Sequence, residues 1–118
     1  MGLSTTHNCW SGSYSSFARW RSAVAMACGI KLNDMVGFGG GVEWSTIPSR
    51  PLNILLDHSD CDGEIRWEDC GPIADDLESI LHLLDVSEPP SHSHRDDAKQ
   101  FIAGLREARA AQENVEFR

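Results

Sequence analysis

The sequence reads LNILLDHSDCDGEIRWEDCGPI at positions 52–73, and this stretch decides most of the predicted fold. Its apolar start, residues 52–56, follows Pro51 and predicts a short helix. A polar segment then covers residues 58–63, which are His58, Ser59, Asp60, Cys61, Asp62 and Gly63. Because glycine accepts positive φ at little cost, Gly63 predicts a sharp turn in the corner that follows this helix.

A longer helix is expected after the corner, over residues 72–84. Its apolar residues recur at three- and four-residue spacing and form one stripe, namely Ile73, Leu77, Ile80, Leu81 and Leu84. Pro72 fits only the first turn of a helix, where its missing N–H has no intrahelical partner. Asp69 or Cys70 is therefore the expected N-cap.

Two further helices flank this unit. Residues 13–29 predict a helix that Ser13 caps and Gly29 ends, with an apolar side formed by Phe17, Trp20, Val24 and Ala27. Nearer the other end, the run Ser93, His94, Arg95 and Asp96 fits a capping box. The helix that it opens is expected to reach about Gln112 and to bury Ala98, Phe101, Ile102, Leu105 and Ala108.

The strand signals are short and lie at residues 3–10, 42–47 and 115–117. The glycine-rich residues 37–41 lack the lysine and the helix start of a phosphate-binding loop, so they predict a flexible connection. We expect residues 115–117 to pair with the N-terminal or the central strand. The predicted fold is a helix-dominated α+β single domain over residues 1–118, with three main helices and a small sheet from the termini and residues 42–47.

Charge is distributed unevenly along the 118 residues, whose formal net charge is −8. Residues 1–33 hold Arg19, Arg21 and Lys31 without any acid, whereas residues 57–88 hold eleven acids against Arg66 alone. Such an acidic block repels a phosphate backbone, which argues against nucleic acid and favours a cation or a basic protein surface. Alternatively, the acids form a solvated helix face, and Arg19 and Arg21 pair with them.

No apolar run approaches the roughly 20 residues that cross a bilayer, and the first residues lack the pattern of a secretory signal. We therefore expect a cytoplasmic protein without membrane contact. In that compartment the four cysteines are expected to be thiols, either buried or bound to a metal, and not disulfides.

Residues 58–69 resemble an EF-hand or dockerin-type calcium loop in length and pattern. The third, fifth, sixth, eighth and last places hold Asp60, Asp62, Gly63, Ile65 and Asp69. Alternating acids around a glycine turn can direct several oxygens at one calcium ion. Two departures weaken the pattern, because His58 in the first ligand place is a nitrogen donor and Asp69 in the last is shorter than the bidentate glutamate of an EF-hand, although a dockerin-type loop does end in aspartate. Pro72 also moves the expected helix start, so that Asp69 is a candidate N-cap as well as a candidate ligand.

Zinc is a second metal hypothesis for the same corner. His58, Cys61 and Cys70 are three zinc-type donors, and His7 or Cys9 could supply a fourth. A third hypothesis needs no ligand. In it, Ser59, Asp60 and Asp62 accept hydrogen bonds from the corner's own backbone, while Cys61 and Cys70 pack as small apolar side chains.

Nucleophilic catalysis has little support from the sequence. A reactive cysteine needs an electropositive setting that lowers its pKa, and Cys61 lies between Asp60 and Asp62. Cys9 is the better candidate because His7 is near and no acid occurs in residues 1–33. Proximity along the chain does not build a site, so we lean against an enzyme.

Three stretches carry a resemblance to a known family, namely HNCWSGSYSSF at 7–17, LLDHSDCDGEI at 55–65 and FIAGL at 101–105. Together they resemble a family of small uncharacterised proteins from bacteria and their phages that share an HSDCDGEI-like segment. The resemblance implies a shared fold and a variable loop at residues 37–41. It implies no activity.

The leading hypothesis is a non-catalytic protein of phage or mobile-element origin that binds a protein partner through the acidic corner at residues 57–69. The expected binding residues are His58, Ser59, Asp60, Asp62, Gly63 and Glu64. No cofactor is required for this role. The alternative is a metal-binding module for Ca or Zn, whose ligands would come from His58, Asp60, Cys61, Asp62, Asp69 and Cys70.

Overall fold

A computed structural model of the chain describes residues 2–58, 62–84 and 94–117. These residues form a helix-dominated α+β domain with three long helices, which confirms the predicted class. The helices are α1 (Tyr14–Ala27), α2 (Leu52–Leu56), α3 (Trp67–Ser79) and α4 (His94–Ala111). The strands are β1 (Gly2–Ser4), β2 (Ser11–Ser13), β3 (Glu64–Ile65) and β4 (Val115–Glu116). Within the described ranges, no helix is long and apolar enough to cross a membrane.

Helix α1 begins and ends at its predicted signals. The Ser13 hydroxyl accepts the backbone N–H of Ser16 at 3.1 Å, which makes Ser13 the N-cap. Beyond the last turn, Gly29 has φ +80°, its N–H reaches the Met26 carbonyl, and the Ile30 N–H reaches the Ala25 carbonyl at 2.8 Å. This pair of bonds is a Schellman motif, in which glycine takes the left-handed position.

The predicted start of α3 is wrong by five residues. The helix begins at Trp67, with Arg66 as N-cap, and Pro72 lies inside it. Neither Asp69 nor Cys70 is the cap. A distant residue determines the true start, because the Asn114 side chain accepts the Trp67 N–H at 2.9 Å. The proline removes one helical hydrogen bond, and the helix nevertheless continues to Ser79, where a separate 3₁₀ turn at Leu81–Leu83 follows.

The predicted strand at residues 42–47 is also wrong. Val42 forms only an isolated bridge to Met35, and Trp44–Thr46 is a 3₁₀ turn. The glycine-rich loop folds back on itself so closely that a Cβ at Gly40 would lie 2.1 Å from the Asp34 backbone. Because residues 42–47 take part in this local packing, they pair with no strand of the described chain in spite of their alternating pattern.

Two antiparallel pairs replace the single sheet that the sequence predicted. Strand β1 pairs with β2, and β3 pairs with β4 in a register that sets Glu64 opposite Glu116 and Ile65 opposite Val115. A bridge between Thr5 and Phe117 joins the N-terminal segment to the C-terminal strand, as predicted. Of the expected strand at residues 3–10, only the start is extended, and a 3₁₀ turn at Thr6–Asn8 follows.

The core lies mainly between α3 and α4, with α1 packed beside them through its aromatic side. Trp20 stacks on Phe101 with ring centroids 5.1 Å apart, and Phe17 meets Phe117 edge to face. The largest fully buried side chains include Trp20, Phe17, Phe101, Leu3, Leu52, Leu55, Leu56, Ile65, Ile73, Leu77 and Leu105. Every apolar residue predicted for the buried side of α4 is buried.

An ion pair attaches the start of α2 to α3. The Arg50 Nε donates to Asp76 at 2.9 Å, and the same carboxylate accepts the Leu52 N–H at 3.1 Å. Hydrogen bonds and charge from Arg50 lower the pKa of Asp76. The carboxylate thus satisfies a free N–H at the start of a helix that Pro51 opens without a side-chain cap.

Replacing Gln112 with glycine is expected to stabilise the fold. Helix α4 ends in a second Schellman motif, in which Gln112 has φ +55°, its N–H reaches the Arg109 carbonyl, and the Glu113 N–H reaches the Ala108 carbonyl. Relief of the left-handed strain should raise the free energy of unfolding by about 0.5–1 kcal/mol in Gln112→Gly, measured by urea denaturation. Gln112→Ala keeps the strain, so an equal gain in that control would contradict the explanation.

Candidate functional site

The corner between α2 and α3 contains the residues that the sequence singled out. His58, Asp62, Gly63 and Glu64 belong to the described part of the chain, whereas Ser59, Asp60 and Cys61 lie outside it. Asp62 and Glu64 are exposed, and His58 is partly buried. The described residues are therefore the entry of the corner, which ends at His58, and its exit, which starts at Asp62.

Arg21 holds the entry of the corner. Its side chain is 3% exposed, and the guanidinium donates to the carbonyls of Leu55 at 3.3 Å, Leu56 at 3.4 Å and His58 at 2.5 Å. These carbonyls belong to the C-terminal end of α2, which lacks intrahelical donors and has partial negative charge. Arg21 thus caps the backbone at this end of α2, in addition to its electrostatic interaction with Asp57.

Aromatic rings enclose the same guanidinium. It lies 4.8 Å from the centroid of Phe17 and 5.2 Å from that of Phe38, in cation–π geometry. Phe38 comes from the glycine-rich loop, so this loop covers the buried charge. Nearby Asp57 feels opposite influences, because burial raises the pKa of its carboxyl and the Arg21 charge lowers it, and burial prevails.

His58 closes the turn at the exit. Its ring lies 4.3 Å from the centroid of Phe117, and its Nε2 is 3.0 Å from the backbone carbonyl oxygen of Glu64. Gly63 has φ +87°, and a Cβ there would come within 3.3 Å of the imidazole. Glycine is thus required both by the backbone angle and by the ring beside it. These contacts hold the entry and the exit of the corner together, whereas self-bonding through Ser59, Asp60 and Asp62 stays a prediction.

Three backbone features that follow residues 59–61 occur at the places that they have in a calcium loop. Gly63 turns the chain at the sixth place, Ile65 at the eighth pairs with Val115, and α3 begins at Trp67, the tenth. Asp69, at the last place, therefore lies in the first helical turn and is not consumed as an N-cap. One contact opposes this geometry, because the seventh-place carbonyl faces the His58 ring.

Cys70 faces the core and not the polar surface of the corner. Its Sγ donates to the Arg66 carbonyl at 3.4 Å, and burial raises the pKa of the thiol to about 11. Burial likewise raises the pKa of Cys9 to about 12, and the two thiols lie close enough to interact electrostatically. Raised pKa values oppose the thiolate form, which a nucleophilic cysteine requires.

Metal ligation has no direct support among the residues described. In those ranges, no group of three or more His, Cys, Asp and Glu side chains is arranged to hold a metal ion. Asp60 and Cys61 belong to both metal hypotheses and lie outside the described residues. Calcium and zinc binding therefore stay predictions.

An acidic cleft that the sequence did not reveal adjoins the corner. It encloses about 450 Å³ and is lined by Thr6, His7, Glu64, Glu113, Asn114 and Glu116. His7 Nε2 lies 2.8 Å from a carboxylate oxygen of Glu113, and Glu64 stands directly opposite Glu116 in the β3–β4 pair. Since the three chain segments are far apart in sequence, no local pattern could have predicted this cluster.

Comparison of the chain with protein-family models, with curated proteins and with solved structures gave no match. The resemblance to small proteins of bacteria and phages accordingly stays a prediction. The assignment of a function depends on the geometry alone.

Replacing Arg21 with methionine is expected to lower the free energy of unfolding by about 3 kcal/mol, because three buried carbonyls lose a charged donor. Urea denaturation measures the loss. Arg19→Met is the matched control, since this arginine is exposed on the same helix and its removal should change stability by less than about 0.5 kcal/mol. Equal effects of both substitutions would contradict a capping role for Arg21.

Proposed function

We propose that this protein is a non-catalytic binding module that takes a basic segment of a partner protein into the acidic cleft beside the corner. The observation that carries the proposal is the placement of Glu64 directly opposite Glu116, with Glu113 lining the same cleft. Three acidic residues that line one cleft attract a cation. A basic side chain of a partner contacts Glu64, Glu113 and Glu116 when it binds there.

The surroundings of the cleft extend the negative charge. Asp62 is exposed on the corner, next to Gly63, whose carbonyl accepts the Phe117 N–H. Glu68 is also exposed, but it lies 3.0 Å from Arg66 and the two residues together carry no net charge. A negative surface accelerates the approach of basic proteins and repels nucleic acid phosphates. Of the sequence-predicted binding residues, Glu64 lines the cleft with Glu113 and Glu116.

A binding role also agrees with the chemistry of the thiols. Cys9, the better nucleophile candidate from the sequence, is fully buried and has a strongly raised pKa. Its neighbour His7 is directed to Glu113 and to the Thr6 hydroxyl, at 2.8 and 3.0 Å. The pair that sequence proximity suggested therefore lacks the hydrogen bond by which a histidine activates a cysteine.

The proposal predicts salt-dependent binding of a peptide of alternating Arg and Ser residues. Isothermal titration should detect binding that weakens as ionic strength rises, because the Debye length falls to about 8 Å at physiological salt. Amide chemical shifts should change at the cleft. A peptide of alternating Glu and Ser should not bind, and equal binding of both peptides would contradict the proposal.

Glu116→Lys separates a binding role from a structural one. The substitution reverses one of the charges that line the cleft, and thermal melting checks that the variant stays folded. Affinity for the basic peptide should fall at least about tenfold. Glu43→Lys makes the same charge change in an exposed loop outside the cleft and should leave affinity nearly unchanged. Equal losses in the two variants would mean that only net charge matters.

A second candidate is calcium binding by the corner, and a specific observation favours it. The α3 start at Trp67 leaves Asp69 free to ligate, and Gly63 and Ile65 have the backbone roles of a calcium loop. His58 and its contact to the Glu64 carbonyl stand where a first-place carboxylate would help to bind the ion.

Thermal melting in EDTA, calcium and zinc tests this candidate. Calcium at about 100 times its dissociation constant should add about 2.7 kcal/mol of stability, and His58→Asp should strengthen the response by supplying an oxygen ligand. Asp62→Asn should weaken it, whereas Asp34→Asn, outside the loop, should not. No shift with calcium in either the parent or His58→Asp excludes the calcium site. A zinc shift that Cys70→Ser abolishes would favour the zinc hypothesis instead.

A further inference from the structure

The acidic cleft contains a histidine among its acids. Of the described residues that line it, Glu64, Glu113 and Glu116 are acids and His7 is a base. The histidine side chain ordinarily changes its charge between about pH 5 and 8, a range in which the glutamate side chain ordinarily stays ionised. The charge of the cleft can therefore depend on pH near neutrality through His7.

Both nitrogens of the His7 ring have oxygen partners. Nε2 lies 2.8 Å from a carboxylate oxygen of Glu113, and Nδ1 lies 3.0 Å from the Thr6 hydroxyl. In a neutral ring, Nε2 donates to the carboxylate and Nδ1 accepts from the hydroxyl. In a protonated ring both nitrogens donate, and both oxygens can accept. The same position of the ring thus fits both charge states, and uptake of a proton needs only a rotation of the Thr6 hydroxyl.

Contacts on two sides fix the position of this histidine. The Thr6 hydroxyl also accepts the Glu116 N–H at 2.9 Å, which attaches the turn at Thr6–Asn8 to β4. On the other side, a Cβ at Gly104 would lie 2.7 Å from the His7 carbonyl oxygen, so the turn packs directly against α4. The His7 side chain is only 11% exposed, whereas that of Glu113 is 64% exposed. The histidine is thus held against a carboxylate that a partner can reach from solvent.

Acidic side chains face this turn from the elements around it. Glu64 and Glu116 belong to β3 and β4, and Glu113 follows the end of α4. From α4 itself, the charge of Glu107 acts on Cys9, next to the turn. With His7 neutral, the three glutamates that line the cleft give it a formal charge of −3, and one proton on His7 changes this charge to −2.

Cations on the neighbouring elements have other contacts. Arg66, which follows β3, lies 3.0 Å from Glu68. On α4, Arg106 forms ion pairs with two acids of α3, and Arg109 lies against Gly71 of the same helix. A proton on His7 is therefore the change in charge that acts most directly on Glu113.

We propose that the acidic cleft holds its basic partner while His7 is neutral and releases the partner when His7 takes up a proton. This inference rests on the proposed function, since it needs a basic segment in the cleft. The protonated ring and a basic side chain of the partner compete for the Glu113 carboxylate. Binding is therefore stronger at the upper end of the histidine range and weaker at the lower end. By linkage, binding of the partner in the middle of that range expels protons.

Isothermal titration with the peptide of alternating Arg and Ser residues, with both ends blocked, tests the proposal on the full chain. Arginine stays charged throughout, so the peptide has the same charge at each pH. At constant ionic strength, binding at about pH 5.5 should be at least about threefold weaker than at about pH 7.5, the effect of one charge near the site. Near pH 6.5, heats measured in buffers of different ionisation enthalpy should show that protons are released on binding.

His7→Gln removes the titrating group and keeps an N–H donor for Glu113. The ratio of the dissociation constants at the two pH values should fall to about 1, and proton release should disappear. His82→Gln makes the same change at an exposed residue outside the cleft and should keep the parent's ratio. His58→Gln tests the histidine that contacts the Glu64 carbonyl, and it should also keep the ratio. Thermal melting verifies that each variant is folded.

Nuclear magnetic resonance of the His7 ring gives a second measurement that needs no variant at this position. At about pH 6.5, addition of the peptide should move the ring signals towards those that the free protein shows at about pH 8. The ring signals of His82 should not move. A His7 signal that moves towards its low-pH position would contradict competition for Glu113.

The outcomes separate this proposal from the one on which it rests. Binding at about pH 7.5 that is equally strong at about pH 5.5 would overturn the dependence on pH and leave the basic-segment function intact. A dependence that persists in folded His7→Gln would overturn the assignment to His7. Absence of binding at both pH values would overturn the proposed function and, with it, this inference.

Discussion

The fold depends on one buried cation at the end of a very short helix. Five residues are too few for a helix to persist without tertiary support, and α2 has this length. Arg21 supplies the support by donating to three carbonyls at its C-terminal end. Burial removes the guanidinium from water at a cost in free energy, and cation–π contacts with the rings of Phe17 and Phe38 offset part of that cost. Helix α1, the glycine-rich loop and the corner are therefore joined through a single side chain.

Contacts made by His58 connect the buried Arg21 to the C-terminal strand. The His58 carbonyl receives Arg21, and the His58 ring packs against Phe117 in the C-terminal strand. Next to this strand, Asn114 caps α3, the helix that forms most of the core with α4. Asn114 and Phe117, near the C-terminal end of the described chain, thus stabilise the corner through contacts with Trp67 and His58. The two described ends of the corner are therefore each held by residues that are distant in sequence.

The sequence predicts the features that local chemistry controls. Ser13 and Gly29 delimit α1 correctly, because a cap and a left-handed stop act within one turn of the chain. The start of α3 could not be predicted in the same way, since its determinant, Asn114, is 47 positions away from Trp67. A rule about proline gave the wrong boundary because a helix that is already capped and packed tolerates the loss of one hydrogen bond.

The candidate sites, too, combine features that the local sequence predicts with features that depend on residues distant in sequence. Asp62, Gly63 and Glu64 were predictable as a polar turn, whereas the partners that complete the cleft come from the segments around His7 and Glu116. Residues 42–47 alternate as a strand does, yet a pattern of this length specifies a strand only when a neighbour is available. The local loop around Gly40 removed that possibility.

One glycine on α4, Gly104, contacts the turn whose residues reach both the acidic cleft and a separate cavity beside β2. At Gly104 a Cβ would lie 2.5 Å from the Cys9 sulfur and 2.7 Å from the His7 carbonyl oxygen, so only glycine lets this turn contact the helix. The turn is strained, because His7 and Asn8 both have positive φ, at a cost of about 1 kcal/mol or more for each. The Gln100 amide, which donates to the Asn8 carbonyl at 3.0 Å, helps to offset that cost. Held in this way, the turn directs His7 to the acidic cleft on one side and Trp10 to the cavity on the other. The strained residues His7 and Asn8 thus lie in the four-residue segment, from His7 to Trp10, that lines both the acidic cleft and the cavity.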